Sequence, residues 1–523
     1  MLMLLKLNWI GGLFAALILG ALIKWIIWRK SSLHKIPGTS CKDLGLLAWL
    51  KGVFKEINEE AFMKPQERWW KEAGIDTPFI HWTGLFGRHF VMTLDADCVK
   101  HILTSKYDKD PLYMKNYTVI KRCLGDGLVT ADGTSWHRRR RIIQAAFHNK
   151  FLEKLLSCVV PGLVDRLIQS WKAAGKDIDL AKHFSAITLD VLGQVAFSHD
   201  FQAISAVEKW SSENNPSVKL HDPLLDALNK ELLPNTFRML LACFNLHHFD
   251  DKIIRSTREN RRVLNEAVEN IVKNAKINYS QSRSRESGRK KCLLELLLDA
   301  EAKDEHSGHG NRSLSFKELQ DETKTFLFAG YDTTSTLCSF AVYCLTKYPH
   351  IQKLVFEDIT KHASTTGRIT LDMIGKMTYF DAFLHEVLRL HPPVGVISRA
   401  LSRTTNLLGE PLPAGLRIQI PIKLLHRHPK YWTDPEEFKP ERWLEQDEKF
   451  HRFAFLPFST GGRNCIGQRF AMYEAKLILA PIIREFEVTL SPSQENVEFK
   501  YVNFISLKSI PSVKVRAKQR SKL

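Results

Sequence analysis

The chain has 523 residues, 44% hydrophobic and 25% charged, an ordinary globular composition that can bury a large core in one large domain or several smaller ones. Its net charge of +18, from 75 Lys and Arg against 57 Asp and Glu, suits an anionic membrane surface or an acidic protein; without a zinc-finger or RNA-binding signature, nucleic acid is set aside. The nine cysteines are scattered singly, which excludes a disulfide framework and points to a reducing compartment.

From Trp9 to Ile23 the chain is apolar or small; Lys24 interrupts, and Trp25 to Trp28 resumes. With Lys24 snorkelling, the span is about 20 residues, enough to cross a bilayer. Trp9, Trp25 and Trp28 suit interfacial belts, and the cations that follow (Arg29, Lys30, Lys35) place the C-terminal bulk in the cytosol. No small-residue cleavage site supports a signal peptide instead. Residues 1–35 are therefore expected to be a membrane anchor with its basic flank. Ile36-Pro37-Gly38 breaks the helix as a hinge, and residues 36–523 follow as one domain.

Pro78 to Leu94 reads as a β-hairpin around Gly84-Leu85-Phe86-Gly87. Helical signals dominate from Ala96 to Leu345. Strand-like stretches return near Ile397–Leu408, Arg417–Ile422 and the C-terminal end. The expectation is mostly α with a small β-sheet region, an α+β chain without internal repeats. Two polar stretches, Ser280–Lys291 and Lys303–Arg312, read as exposed loops. Met239 to Phe249 is apolar enough to dip into a bilayer beside the anchor. His247, His248, His426 and His428 lack a convincing third ligand and read as surface or loop histidines.

Trp136-His137-Arg138-Arg139-Arg140-Arg141 opens a helix, with Trp136 and Arg140 on one face. Alone, this is a basic helix face.

Ser315 and Glu318 form a capping-box pattern, and nothing breaks the following helix before Pro349. It should run about 30 residues, near 45 Å. Phe326 to Leu345 is apolar almost all round and should be buried. Inside it sit Ala329-Gly330-Tyr331-Asp332-Thr333-Thr334. A carboxylate and two hydroxyls there cost several kcal/mol unless paired. Gly330 leaves room for something to lie against the helix, and Thr333 can bond back to a carbonyl. An internally bonded kink in a core helix is the alternative.

Thr378 to Leu390 is another helix, stopped by Pro392-Pro393, with Glu386 and Arg389 on one face. Pro440-Glu441-Arg442-Trp443 follows. Then comes Phe458-Ser459-Thr460-Gly461-Gly462-Arg463-Asn464-Cys465-Ile466-Gly467. A cysteine ahead of a helix N-terminus, near Arg463, favours its thiolate. The glycines allow close approach to something flat and bulky. Zinc would need further ligands, and none lies within finger-like spacing. One thiolate facing a planar cofactor fits haem iron; a buried small hydrophobe is the bland reading of Cys465.

This loop reads F-x-x-G-x-R-x-C-x-G and resembles the haem signature of the cytochrome P-450 monooxygenases, a family in which a cysteine thiolate holds haem iron. W-x-x-x-R, A-G-x-D-T-T, E-x-x-R and P-E-R-W occur in the family's order, and the resemblance covers about residues 37–515. It implies a P-450 fold preceded by one transmembrane helix, with haem b (iron protoporphyrin IX) ligated by Cys465. Phe458, Arg463 and Gly467 belong to the cofactor loop. Trp136, Arg140 and Arg399 are implied as propionate ligands, and Glu386, Arg389 and Arg442 as a buried ionic cluster, with Trp443 replacing the family's Phe. Asp332 and Thr333 are implied as the pair that handles dioxygen, delivering protons by general acid catalysis. The hinge resembles, in reduced form, that of membrane-bound members.

The resemblance further implies O2 as co-substrate, an apolar, lipid-like substrate (fatty acid, sterol, terpenoid or xenobiotic), and a single-pass protein of the endoplasmic reticulum membrane with a cytosolic catalytic domain. Phe328, Val396, Ile397 and Phe504 are candidate pocket linings. No nucleotide fingerprint is present, so electrons come from a separate NADPH-dependent flavoprotein reductase. The basic residues Arg138, Arg139, Arg469 and Lys476 are expected to steer it. Three alternatives remain open: a haem-thiolate isomerase or dehydratase, a non-catalytic haem-binding membrane protein, and a membrane scaffold without cofactor.

Overall fold

The computed structural model describes residues 31–38, 63–84, 88–104, 118–147, 150–173, 177–213, 255–284, 291–299, 313–363, 367–445, 450–503 and 506–521, with residues 26, 227 and 230 singly. Residues 1–30 of the expected anchor and flank lie outside them except for Ile26, as do Met239 to Phe249, His247, His248, Phe504 and Lys303–Arg312. Among the described residues no helix is long and apolar enough to cross a membrane.

The helices that build the site are α1 (Ala96–Thr104), α2 (Gly133–Phe147), α3 (Lys150–Ala173), α4 (Leu180–Leu192), α5 (Phe316–Lys347), α6 (Pro349–His362), α7 (Thr378–Leu390) and α8 (Gln468–Glu485). Their apolar faces meet in one large core that includes Phe184, Ile187, Leu337, Phe340, Phe383, Val387 and Ile478. The strands form small sheets. β1 (Phe79–Gly84) and β2 (Arg88–Thr93) make the expected hairpin. β3 (Ile178–Asp179), β4 (Ile397–Ala400), β5 (Thr405–Leu407), β6 (Glu410–Leu412) and β7 (Arg417–Ile420) follow. β8 (Phe486–Leu490), β9 (Lys500–Asn503), β10 (Leu507–Ile510) and β11 (Lys514–Gln519) close the chain. The largest sheet runs β1-β2-β7-β4, with β2 and β7 parallel. It carries a second core around Trp82, Val91 and Ile418.

Local chemistry explains the boundaries of α5. Ser315 accepts from the Glu318 N–H while Glu318 reaches back to the Ser315 N–H, as the capping pattern requires. The helix then runs 32 residues without a break, and Pro349 opens α6 directly after it. Ile36-Pro37-Gly38 is docked on the hairpin: Pro37 O accepts from His81 N at 2.8 Å, and Gly38 bridges to His81.

Two expectations are corrected. Ser280 to Ser284 is the last turn of a helix, Arg255–Ser284, not loop. His426 and His428 lie in a loop, as one half of the expectation had it, but buried and not at the surface. His426 Nδ1 donates to Arg389 O at 3.1 Å, and its Nε2 accepts from Leu456 N at 2.8 Å. Burial pushes its pKa down to about 3, so it is a neutral core connector.

Candidate active site

The cysteine loop is held from three sides. Cys465 N donates to Phe458 O at 2.9 Å, which folds the loop back on itself. Gly461 has φ +76, and a Cβ there would run into the carbonyl oxygen of Leu103 in α1. That glycine is therefore required by packing against a neighbouring helix end, not by the flat object expected from the sequence. Arg463 donates to Ala131 O at 2.9 Å and to Asp132 Oδ1 at 2.7 Å, and stacks on Trp136. Arg140 donates to the carbonyl and side-chain oxygens of Asn464, at 2.9 and 2.6 Å. W-x-x-x-R and the cysteine loop thus form one contact surface.

Gly467 is the N-cap of α8, and its N–H reaches the Cys465 sulfur. Burial pushes the thiol up; the Gly467 N–H and the Arg140 charge oppose this. The sequence expectation of a favoured thiolate is therefore not met by the protein's own groups: burial is the larger effect. A bound metal cation would reverse the balance.

Cys465 opens onto a cavity between α5 and α8, and protein encloses it otherwise. Ala329, Gly330, Thr333 and Thr334 form the α5 wall, and Phe326, Phe147 and Phe470 are further lining. Leu192, Val195 and Ala196 come from the end of α4 and its π-helical turn, Gly193–Phe197. The walls are almost wholly apolar. One sulfur donor, two nearby guanidinium groups and an apolar cavity fit a flat cofactor with one soft axial ligand and anionic substituents.

Gly330 serves helix packing: a Cβ there would crowd the Leu192 side chain at 3.0 Å. Thr333 Oγ1 donates to Ala329 O at 2.8 Å, the back-bond expected. Asp332 and Thr333 diverge, however. Thr333 lines the cavity, whereas the Asp332 carboxylate turns to the C-terminal sheet. There it accepts from Ser506 Oγ at 2.6 Å and pairs with Lys508.

Glu386, Arg389 and Arg442 do form a buried cluster. Glu386 accepts from Arg389 Nε (2.9 Å) and Nη2 (2.8 Å), and from Arg442 Nε (3.1 Å). Trp443 Nε1 donates to the same carboxylate at 2.9 Å, a bond that Phe could not make. Arg399 sits in β4, buried, and donates to Ser398 O at 2.9 Å.

Other assignments change. Arg139 is buried against Glu318 (3.2 Å) and Glu322 (3.4 Å), and Lys476 is buried on Asp381 (2.5 Å). Arg138 pairs with Glu318. Of the four cations expected to meet a donor, only Arg469 is well exposed, and it pairs with Glu153; Arg141 is also exposed. Phe326, not Phe328, lines the cavity around Cys465. Sequence reading missed Glu474 of α8, fully buried, hydrogen-bonded to Thr334 and pushed up to about 8 by burial. One of its oxygens has no partner among the described residues. The only sequence signal was a carboxylate two residues before Lys476 at the start of the apolar run Leu477–Ala480.

Comparison with known proteins agrees with this geometry. Residues 54–514 match the family model described as cytochrome P-450. The chain is 31% identical to human (Homo sapiens) cytochrome P-450 4Z1 over 457 residues, covering 84% of this chain and 83% of that one. It is 30% identical to the taurochenodeoxycholic 6 alpha-hydroxylase of Sus scrofa over 481 residues, 89% and 88% of the two chains. The crystal structure of the cytochrome P450DA heme domain superposes with a TM-score of 0.72 at 22% identity, covering 89% of this chain and 94% of that one. A thiol on an apolar cavity wall, in the fold and sequence class that uses such a thiol, has one reading: the chain belongs to the cytochrome P-450 family, the haem b monooxygenases with a cysteine axial ligand.

Proposed function

We propose that Cys465 is the axial ligand and that the cavity between α5 and α8 holds the haem. The observation that carries this is the Cys465 sulfur on the wall of an apolar cavity whose opposite side is Thr333. Arg140, Arg463 and Trp136, already joined around the loop, hold the haem carboxylates, with Arg399 as a further cation. Phe458 and Gly467 shape the loop. Glu386, Arg389 and Arg442 fix the pocket from behind. Bound there, the haem supplies dioxygen activation and transfer of one oxygen atom to substrate. Thr333 holds a proton donor at the cavity, and Asp332 connects to solvent on the other face of α5.

The substrate is apolar and lipid-like. Phe147, Leu192, Phe326 and Phe470 offer no charge to a ligand, and a relative is named for hydroxylating a bile acid. Electrons come from a separate NADPH-dependent flavoprotein reductase, which meets the protein near the exposed Arg141 and Arg469. Residues 1–35 anchor residues 36–523 to the endoplasmic reticulum membrane, in contact with lipid. Replacing Cys465 by Ala tests the central assignment. The reduced carbon monoxide complex should lose its thiolate-type spectrum; a preserved spectrum refutes it.

A further inference from the structure

In the sheet β3-β11-β8 the middle strand is covered unequally. β8 pairs with β11 over residues 515–519, whereas β3 reaches only Lys514 and Val515. Bonding alternates along an antiparallel strand. Even-numbered residues of β11 bond towards β8: Ser491 N donates to Lys514 O at 3.0 Å, and Arg520 N to Glu485 O at 2.9 Å. Odd-numbered residues bond the other way, as where Leu180 N donates to Val513 O at 3.0 Å. Ala517 and Gln519 continue that odd series, and among the described residues no backbone group meets them on the β3 side. Two N–H donors and two carbonyl acceptors therefore form an open edge. Beside it is a recess walled by Trp171 and Lys172 of α3 and by Ile178 and Phe486. Trp171 is 3% exposed, and its Nε1 donor has no partner among the described residues.

The edge is also marked by charge. Lys514, Arg516 and Lys518 share one face of β11, and all three are exposed. Continuing the β3 register places Asp177 across from Arg516, and the two pair at 3.2 Å. The chain itself thus answers one β11 cation with a carboxylate across the ladder. β3 supplies no residue opposite Lys518. Two copies of this edge would bring like charges together, which opposes self-pairing. An acidic strand meets no such barrier.

We propose that the open edge of β11 docks an extended segment of a partner protein, acidic at alternate positions, which adds as a short strand beside Ala517 and Gln519. The acidic side chains of that segment stand opposite Arg516 and Lys518. Its intervening residues bond to the backbone of Ala517 and Gln519, and their apolar side chains turn to the face that holds Ile178, Phe486 and Trp171. The Trp171 indole offers a further donor there. Main-chain bonds supply the affinity, and the cations supply the choice of partner. The cysteine loop and the cavity between α5 and α8 take no part, so the proposal stands apart from the haem assignment.

The test uses the full-length holoenzyme and a fluorescein-labelled peptide, Thr-Glu-Val-Glu-Val-Glu-Thr, with binding read by fluorescence anisotropy. The peptide should bind, and its counterpart with lysine for glutamate should not. Methylating the valine amide nitrogens removes the donors turned towards β11 and should abolish binding. Methylating the glutamate nitrogens should leave it intact. Ala517→Pro removes an edge donor that the fold itself does not use, a change that edge strands tolerate; it should weaken binding about tenfold. Arg516→Gln with Lys518→Gln should weaken it severalfold and flatten its dependence on salt. Hydrogen exchange of residues 516–519 should slow severalfold in the complex. Unchanged thermal midpoints in the variants separate a lost site from a lost fold, and if Ala517→Pro does not fold, the two methylated peptides decide. Failure of the acidic peptide to bind, equal binding of both methylated forms, or wild-type affinity in the double Gln variant overturns the proposal. So does a dimer seen in sedimentation that Ala517→Pro abolishes, which would assign the edge to a second copy of this chain.

Discussion

The guanidinium of Arg463 lies 3.9 Å from the centre of the Trp136 ring, joining the cysteine loop to α2. Such a stack contributes roughly 0.5–2 kcal/mol, and burial of the indole contributes more. Trp136→Ala should destabilise the protein by about 3–5 kcal/mol, the range for removing a large buried ring. It should also lower the haem-to-protein absorbance ratio after purification. Arg463→Lys should lower that ratio too, because an ammonium cannot stack and fork at once.

Glu386 receives five donors, counting Lys439 N at 2.9 Å and Trp443 Nε1. Removing the carboxylate leaves Arg389 and Arg442 as buried, uncompensated cations. Glu386→Ala should cost about 3–5 kcal/mol in denaturant unfolding. Trp443→Phe removes one donor to a charged group and should cost about 1.5–3 kcal/mol.

The raised pKa of Glu474 makes stability fall with pH. The unfolded carboxyl titrates near 4.5 and the folded one near 8, so between these values the folded state binds the extra proton. The contribution is complete below pH 4.5, declines through the interval and is gone above about 8. Glu474→Gln should flatten this slope. Unfolding free energies measured from pH 5 to 9 should converge at the acid end and favour the variant at the alkaline end.

Gly461 and Gly133 both have positive φ, at +76 and +57, but only Gly461 faces a backbone atom. Gly133→Ala should show the left-handed strain alone, about 1–2 kcal/mol. Gly461→Ala should cost more, since the Leu103 carbonyl must move, and should weaken haem retention as well. Paired denaturation midpoints measure the difference.

Arg141 and Arg469 are exposed cations, Arg469 also pairing with Glu153 at 2.8 Å, whereas Arg139 is committed to Glu318 and Glu322. Arg141→Glu with Arg469→Glu should slow haem reduction by the reductase and reduce its dependence on ionic strength. Arg139→Gln should instead destabilise the fold. Stopped-flow reduction alongside thermal melts separates the two effects.

Local order in the sequence made much of this legible. The Ser315 cap, the Pro349 stop and the hairpin at Gly84 are decided by residues a few positions apart, and each appears where expected. The cysteine loop and W-x-x-x-R were readable as motifs, but not as partners: Arg140 meets Asn464 324 positions later. Partner choice at long range is what sequence pattern leaves open. Charge runs look exposed until a buried carboxylate such as Glu322 claims one member, as happened to Arg139. Asp332 looked like the companion of Thr333 because they are adjacent, but successive helical positions point about 100° apart. The partner of Asp332 lies in a strand 176 residues on. Gly461 was read as room for a cofactor because no sequence pattern reveals a carbonyl arriving from α1.

The docking of Gly461 on Leu103, with Arg463 on Ala131 and Arg140 on Asn464, ties the sulfur-bearing segment into regions hundreds of positions upstream. Such a segment has no independent way to melt. Release of the prosthetic group and collapse of the helical far-ultraviolet signal should therefore coincide in a single cooperative transition on heating, not as an early loss followed by a late one.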